Sequence, residues 1–129
     1  MSQVRIYGHR ASLAPRRQAW SDCIHGCLVE TLGLPDSKRF HRFFPMDPAD
    51  FIHPADRTEH YTIIEISMFA GRTEETKRRL IRLLLEWIET ELGISVQDAE
   101  ITIFESPAAS WGIRGRCGDE LALDYDVRV

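Results

Sequence analysis

Ile63 and Glu65 alternate with Ile64 and Ile66 in the segment YTIIEISM, residues 61–68, which is rich in β-branched and aromatic residues. This segment predicts a β-strand. Downstream, apolar residues recur at helical spacing: Leu80, Ile81, Leu84, Leu85, Ile88 and Leu92. The stripe predicts a helix that is capped by Thr73 and ended by Gly93, and residues 100–104 predict another strand.

The first part of the chain predicts the same order of elements. A short strand is expected at residues 4–7. A helix capped by Ser12, with Pro15 in its first turn, is expected to follow and to end at Gly33. Residues 39–44 then predict a second strand. Both parts therefore have the order strand, helix, strand.

The two parts are copies of one unit. Aligned with itself at an offset of 60 residues, the sequence matches without a gap. Residues 4–6 fall on 64–66, residues 30–34 on 90–94, and residues 40–44 on 100–104. Every helix end and every strand keeps this register, which favours an internal repeat.

We therefore predict an α/β (α+β) fold. Its two tandem β-α-β repeats, each a right-handed crossover, form a four-stranded mixed sheet with both helices on one face. A single domain is expected, with repeat 1 at about 2–44, a linker at 45–60, repeat 2 at about 61–105, and an extension at 106–129 that ends in a short edge strand at 124–129.

Strand 61–68 is apolar on both faces, and parallel strands rarely have one face exposed to solvent. The open face is therefore expected to be covered in a homo-oligomer.

Composition narrows the class of protein. A net charge of −4 argues against a general nucleic-acid binder. No apolar run approaches the ~20 residues of a membrane span, and the N-terminus does not read as a signal peptide, so a cytoplasmic location is expected. The odd number of cysteines favours reduced thiols. Cys23 and Cys27, four residues apart on one helix, are interpreted as packed thiols rather than metal ligands.

Three places carry a family resemblance. The first strand begins at the second residue, the segment AGRTEETK, residues 70–77, has the pattern small-Gly-Arg-Ser/Thr-x-x-x-Lys, and the segment SWGIRG covers residues 110–115. Together with the repeat, they resemble the tautomerase superfamily, and within it the fused-repeat, malonate semialdehyde decarboxylase-like members. The resemblance covers roughly residues 2–115.

The resemblance implies a trimer around a central channel. It also implies chemistry by an N-terminal proline that methionine removal exposes, while arginine holds a substrate carboxylate. Here Ser2 occupies the proline position. If Met1 is kept, the nitrogen of Ser2 is an amide without basicity; if Met1 is removed, Ser2 presents a primary amine. The acidic residue of the decarboxylases falls at Lys38.

The turn arginines depart from the family pattern in part. One of the paired arginines of the decarboxylases falls at Ala70, and the other is kept as Arg72. The arginine that many relatives carry in the first repeat falls near Ser12. Anion binding at Arg72 therefore remains an expectation from the resemblance, while proline-dependent activity is not implied.

The candidate residues follow from these motifs. Ser2 and Arg72 are candidate catalytic residues, and Arg72, Trp111, Arg114 and His9 are candidate substrate-binding residues. Each has a structural alternative: Arg72 as a surface ion pair with an adjacent glutamate, Ser2 as the start of an edge strand, and Trp111 as a core or interface anchor. No cofactor or metal motif is present, so none is expected.

Three functions remain open at this point. The first is a tautomerase, isomerase or decarboxylase that acts on a small keto or enol carboxylate. The second is a catalytically inactive homotrimer that binds a small anion or a protein. The third, outside the family, is a ferredoxin-like binding domain with the same element order but differently interleaved strands. Sequence alone names no substrate.

Overall fold

The computed structural model describes residues 2–129, so the retention or removal of Met1 lies outside the described residues. The main strands are β1 (Ser2–His9), β2 (His41–Met46), β3 (Thr62–Phe69) and β4 (Ala99–Ser106). The helices are α1 (Arg10–Leu13), α2 (Arg17–Leu32) and α3 (Glu74–Leu92).

The four strands form one mixed sheet in the order β2-β1-β3-β4. Strand β1 is parallel to β2 and β3 is parallel to β4, as each repeat's crossover requires. The central pair, β1 and β3, is antiparallel, with Ser2 opposite Met68 and Gly8 opposite Thr62. The predicted mixed sheet is confirmed. In its central pair, the start of β1 lies beside the end of β3, and the start of β3 lies beside the end of β1.

The core lies between one face of the sheet and the two long helices. Alternate residues of the central strands, among them Val4, Ile6, Ile64 and Ile66, are at most 1% exposed. Helix α2 contributes the fully buried Trp20, and Cys23 and Cys27 are packed beside it as free thiols. The apolar stripe of α3 is confirmed, because Leu80, Leu84, Ile88 and Leu92 are buried.

The predicted ends of the long helices are confirmed by their backbone. Thr73 precedes α3, and its side-chain oxygen accepts a hydrogen bond of 3.1 Å from the Thr76 amide. Gly33 and Gly93 follow α2 and α3 with φ of 65° and 67°. Only glycine adopts this left-handed conformation at little cost, which is why each repeat stops its helix at the same position.

The prediction that Ser12 caps the first helix is wrong. The chain enters α1 directly from β1, and Ser12 lies inside α1 with its hydroxyl 2.7 Å from Nδ1 of His60. Residues 14–16 then form a 3₁₀ turn around Pro15 before α2 begins. Proline lacks an amide donor, so the predicted single helix is interrupted there.

The C-terminal extension contains short strands, but not at the predicted place. A two-residue hairpin pairs β5 (Gly112–Ile113) with β6 (Arg116–Cys117). Residues 124–129 form no strand. Instead, the carbonyl oxygen of Val129 accepts a hydrogen bond of 3.0 Å from the Thr73 amide, so the tail closes on the turn before α3 rather than pairing with a sheet edge.

Among residues 2–129, no helix covers the second face of the sheet. Phe44 on β2 and Phe104 on β4 remain 38% and 46% exposed on this face. Tyr7 stacks on Phe44 with ring centroids 4.7 Å apart. We call this surface the open face. Within residues 2–129, no helix combines the length and the apolar character needed to cross a bilayer.

Candidate functional site

One end of the sheet brings Ser2 and Arg72 together. Ser2 begins β1 directly opposite Met68, and the next residue of β3 is Phe69. The carbonyl oxygen of Phe69 accepts a hydrogen bond of 3.2 Å from Nη1 of Arg72. The antiparallel pairing of β1 with β3 therefore positions the guanidinium beside the start of the chain's first strand. We call this end of the sheet the Arg72 end.

Arg72 is a buried cation with unused donors. The residue is 5% exposed, and none of residues 2–129 provides a hydrogen-bond partner for its Nε and Nη2 atoms. Burial lowers the pKa of Arg72, while Glu105 and Asp126 act in the opposite direction. A guanidinium nevertheless stays protonated in proteins. Buried polar groups are nearly always bonded, so these two donors require an acceptor that residues 2–129 of one chain do not supply.

The interpretation of Arg72 as a surface ion pair is not supported. Among residues 2–129, Arg72 forms no ion pair, and Glu74 pairs instead with Arg78 at 3.5 Å. The nearby Glu105 bonds Nζ of Lys77 at 2.5 Å, so its charge is largely neutralised. Arg72 also lies two residues before the first helical residue of α3, where backbone amides favour an anion. The Arg72 end is therefore electrostatically suited to a small anion.

Trp111 supplies a second free donor at this end. Its ring lies edge-on to the ring of Phe69, with centroids 5.1 Å apart, and its Nε1 atom has no partner. Buried indole nitrogens usually find a partner. Trp111 therefore packs on a buried ring, as the structural interpretation expected, and its role in substrate binding stays a prediction.

A cavity opens on the other side of Ser2. It has a volume of about 360 Å³ and is lined by Gln3, Arg39, Phe40, His41 and Arg42. The Arg39 guanidinium is held by Asp22 at 2.6 Å. The start of β1 thus lies between the buried cation on β3's side and this basic cavity on β2's side.

The remaining candidates lie elsewhere in the single chain. Arg114 is exposed in the turn between β5 and β6, with φ of 49°. His9 ends β1, so about 23 Å of strand separates it from Ser2. The structure therefore places Ser2, Arg72 and Trp111 at one end of the sheet and His9 at the other. Among residues 2–129, Arg114 forms no hydrogen bond or ion pair with Arg72. Roles for both in substrate binding stay predictions.

The internal repeat extends further than sequence analysis found. The 3₁₀ turns Pro48–Asp50 and Ala108–Ser110 are sixty positions apart, as are Phe51 and Trp111. Phe51 packs on His9 at 5.0 Å, as Trp111 packs on Phe69. The end of the sheet that carries His9 and Phe51 is therefore equivalent, through the repeat, to the Arg72 end. The sequence carries a signal for this equivalence, because the offset of 60 continues past residue 104 and aligns residues 48–51 with residues 108–111.

Gly118 fixes the position of Trp111, which gives a testable prediction. A Cβ atom on Gly118 would overlap the carbonyl oxygen of Ala108 and lie 3.0 Å from Cβ of Trp111. Because backbone atoms cannot rotate away, we expect Gly118→Ala to lower the free energy of unfolding by about 1–3 kcal/mol. Chemical denaturation monitored by tryptophan fluorescence measures this loss. Gly112→Ala is the matched control, because a Cβ atom added to Gly112 would meet no atom within 4 Å. Equal stability of the two variants would contradict the close packing at Gly118.

Two β-α-β units around one sheet, with a buried guanidinium at one sheet end, define a fused-repeat protein of tautomerase architecture. The chain belongs to the tautomerase family, because the family model described as "Tautomerase enzyme" matches residues 38–114. The probable tautomerase YrdN of Bacillus subtilis (strain 168) is 30% identical over 95 residues, which cover 70% of this chain and 73% of YrdN.

Solved structures agree with this fold. FG41 malonate semialdehyde decarboxylase inhibited by 3-bromopropiolate is 30% identical, with a TM-score of 0.76 over 94% of this chain and 98% of the decarboxylase chain. A fused 4-OT (R7), described as an asymmetric trimer, is 21% identical, with a TM-score of 0.80 over 91% of this chain and 96% of its own chain. The fold expected from the resemblance is therefore confirmed, and the ferredoxin-like alternative is wrong.

Proposed function

We propose that the chain binds a small keto or enol carboxylate at Arg72 and moves a proton between carbon and oxygen, as a tautomerase or isomerase does. The observation that carries this proposal is the pair of free donors, Nε and Nη2, on a cation that is 5% exposed. Adjacent guanidinium donors match the two oxygens of a carboxylate. In this proposal, the free Nε1 of Trp111 is a further donor, for the keto or enol oxygen of the ligand.

The proton-moving group in this proposal is the amine of Ser2 after removal of Met1. An α-amino group has an ordinary pKa of about 7.7–8.0, and a nearby cation such as Arg72 lowers it toward neutrality. An amine of that kind exchanges protons at working pH, as general acid–base catalysis requires. A primary amine replaces the secondary amine of proline here, so the amine serves as base and acid in the proposed mechanism.

Decarboxylation is the second reaction that the proposed site can serve. Loss of carbon dioxide from a β-keto acid leaves an enolate, which a proton donor then converts to the ketone. The same amine, in its protonated ammonium form, would supply that proton and become neutral. Similarity at 30% identity to a protein described as a malonate semialdehyde decarboxylase supports this version, whereas Lys38 at the position of the family's acidic residue does not.

A binding protein without catalysis is the alternative, and Ser2 in the proline position favours it. In that case Arg72 would hold the same anion while no proton moves. Spectrophotometric ketonisation of an enolised arylpyruvate separates the two. Turnover by the wild-type protein supports the enzyme, and saturable carboxylate binding without turnover supports the binding protein. Absence of both would reject the proposal.

A homotrimer is the assembly that we propose, with the open face as the contact between chains. The exposed Phe44 and Phe104 support it, as does the description of similarly folded proteins as trimers. Such an assembly in the cytoplasm remains our expectation. In the proposed trimer, Arg114 and His9 would reach an Arg72 site from a neighbouring chain.

Light scattering tests the assembly. We expect a molar mass of about three times the 14.9 kDa of the chain. Phe104→Glu should lower this mass, since a charge in a desolvated contact is costly. Ile52→Glu is the control, because Ile52 is 91% exposed and lies in the segment between the repeats. A monomeric wild-type protein, or equal dissociation of both variants, would overturn the assignment of the open face.

A further inference from the structure

The end of the sheet opposite Arg72 carries histidines instead of a cation. The repeat places Ser12 where the other end has Arg72, and His9 where it has Phe69. Two histidine contacts form there: His9 with His53, and Ser12 with His60. We propose that His9 and His53 together bind one divalent transition-metal ion at this end of each chain.

The two imidazoles converge through the same type of atom. Nε2 of His9 lies 2.8 Å from Nε2 of His53. Nδ1 of His53 lies 3.0 Å from the carbonyl oxygen of Pro54, to which it donates a hydrogen bond. This bond leaves Nε2 of His53 unprotonated, so it accepts a hydrogen bond from Nε2–H of His9. A bound ion would take the place of that proton, and neutral His9 would carry its proton on Nδ1 instead. Metal-ligating histidines are commonly oriented by a carbonyl in this way.

The positions of both rings are held by packing. His9 is the last residue of a central strand. The ring of Phe51 lies 5.0 Å from the ring of His9, and the ring of Tyr61 lies 4.9 Å from the ring of His53. Phe51 and Tyr61 stack on each other and are 9% and 5% exposed. Little side-chain entropy is therefore left to lose when an ion binds.

Geometry and protonation both suit an ion. Two metal–nitrogen bonds of about 2.0–2.1 Å at a tetrahedral angle place the nitrogens about 3.3 Å apart. The two nitrogens therefore need to separate by about half an ångström, and each ring needs to turn toward the ion. Burial, with a contribution from His53, lowers the pKa of His9, although Glu59 opposes this effect. A lowered pKa keeps the imidazole in the neutral form that a metal requires.

The donor set selects the kind of metal. Imidazole nitrogens suit Cu²⁺, Ni²⁺ and Zn²⁺, whereas Mg²⁺ and Ca²⁺ prefer oxygen. Within residues 2–129, the one group of three potential ligand residues is Cys117, Asp119 and Glu120, in the C-terminal extension. Water or an added ligand would therefore complete the coordination at His9 and His53. The histidines form no recognised metal motif in the sequence, which is why no metal was expected there.

Calorimetric titration of tag-free protein with Zn²⁺ and with Ni²⁺ tests the proposal. We expect one ion per chain and, for His9→Asn and His53→Asn, an affinity lowered by at least about tenfold. His60→Asn is the matched control: it removes a neighbouring imidazole that bonds Ser12 rather than His9. Equal weakening by His60→Asn and His53→Asn, or stoichiometric binding that survives both His9→Asn and His53→Asn, would overturn the site.

A spectroscopic readout identifies the ligands directly. Electron paramagnetic resonance of the Cu²⁺-loaded wild-type protein should show coupling to two imidazole nitrogens, and His53→Asn should remove one. Thermal melts without metal confirm that each variant folds. No imidazole coupling in the folded wild-type protein would mean that the contact is a hydrogen bond only. Metal binding by Arg72→Ala should equal that of the wild type, so this test is independent of the proposed function.

Discussion

Replacing Arg72 with alanine should lower kcat/KM for ketonisation of an enolised arylpyruvate by about 100-fold. Hydrogen bonds to charged groups contribute about 1.5–3 kcal/mol each, and each 1.4 kcal/mol is tenfold in rate. At least two such bonds are available, because Nε and Nη2 are free. Arg72→Lys should retain an intermediate rate, since it restores the charge but not the paired donors. If the wild-type protein binds a carboxylate without turnover, Arg72→Ala should instead raise the Kd for that ligand by about 100-fold.

The stability of Arg72→Ala separates a functional role from a structural one. A residue kept for the fold would be bonded on all sides, yet in the described part of the chain Arg72 bonds only the carbonyl oxygen of Phe69. We therefore expect no more than a small loss of unfolding free energy, together with the large loss of activity. Arg78→Ala is the charge-matched control: its guanidinium is exposed and pairs with Glu74 at 3.5 Å. Unchanged kinetics in Arg72→Ala would remove Arg72 from the mechanism.

The fold was accessible from the sequence because its signals are local and repeated. Gly33 and Gly93 end their helices at equivalent positions, and the offset of 60 aligns all four strands. The antiparallel pairing of β1 with β3 then follows from placing two copies side by side. Ser12 was misassigned since a serine near a helix start is a normal cap, and nothing local shows that His60 competes for its hydroxyl.

The chemistry was less accessible because it depends on burial and on long-range contacts. The motif around Arg72 is flanked by Glu74 and Glu75, and from sequence alone an ion pair was as reasonable as a ligand site. Only the structure shows that the guanidinium is 5% exposed with free donors. The contact of His9 with His53 likewise joins a strand end to the segment between the repeats, which no periodic pattern links.

Chemical blocking of the amine of Ser2 is the second test with a large expected effect. Protein that begins at Ser2 should be active, whereas the same protein acetylated at its N-terminus should lose about 10²–10⁴-fold in kcat/KM, the usual contribution of general acid–base catalysis. Acetylation converts the amine to an amide, which has no basicity at working pH. Retention of Met1 should have the same effect. Mass spectrometry of protein from the native host, together with ketonisation rates of the three forms, provides the measurement.

The pH profile and one matched variant identify which atom of Ser2 acts. A base must be unprotonated, so kcat/KM should rise with pH to a plateau, with a midpoint below the ordinary amine pKa of about 7.7–8.0 because Arg72 is near. Ser2→Ala keeps the amine and removes the hydroxyl, so it should retain this profile and rate. Loss of activity in Ser2→Ala would assign the proton to the hydroxyl, and an active acetylated protein would reject the amine. If the native protein keeps Met1, the backbone nitrogen of Ser2 is an amide and cannot act as a base. Arg72 would then remain only as an anion-binding residue.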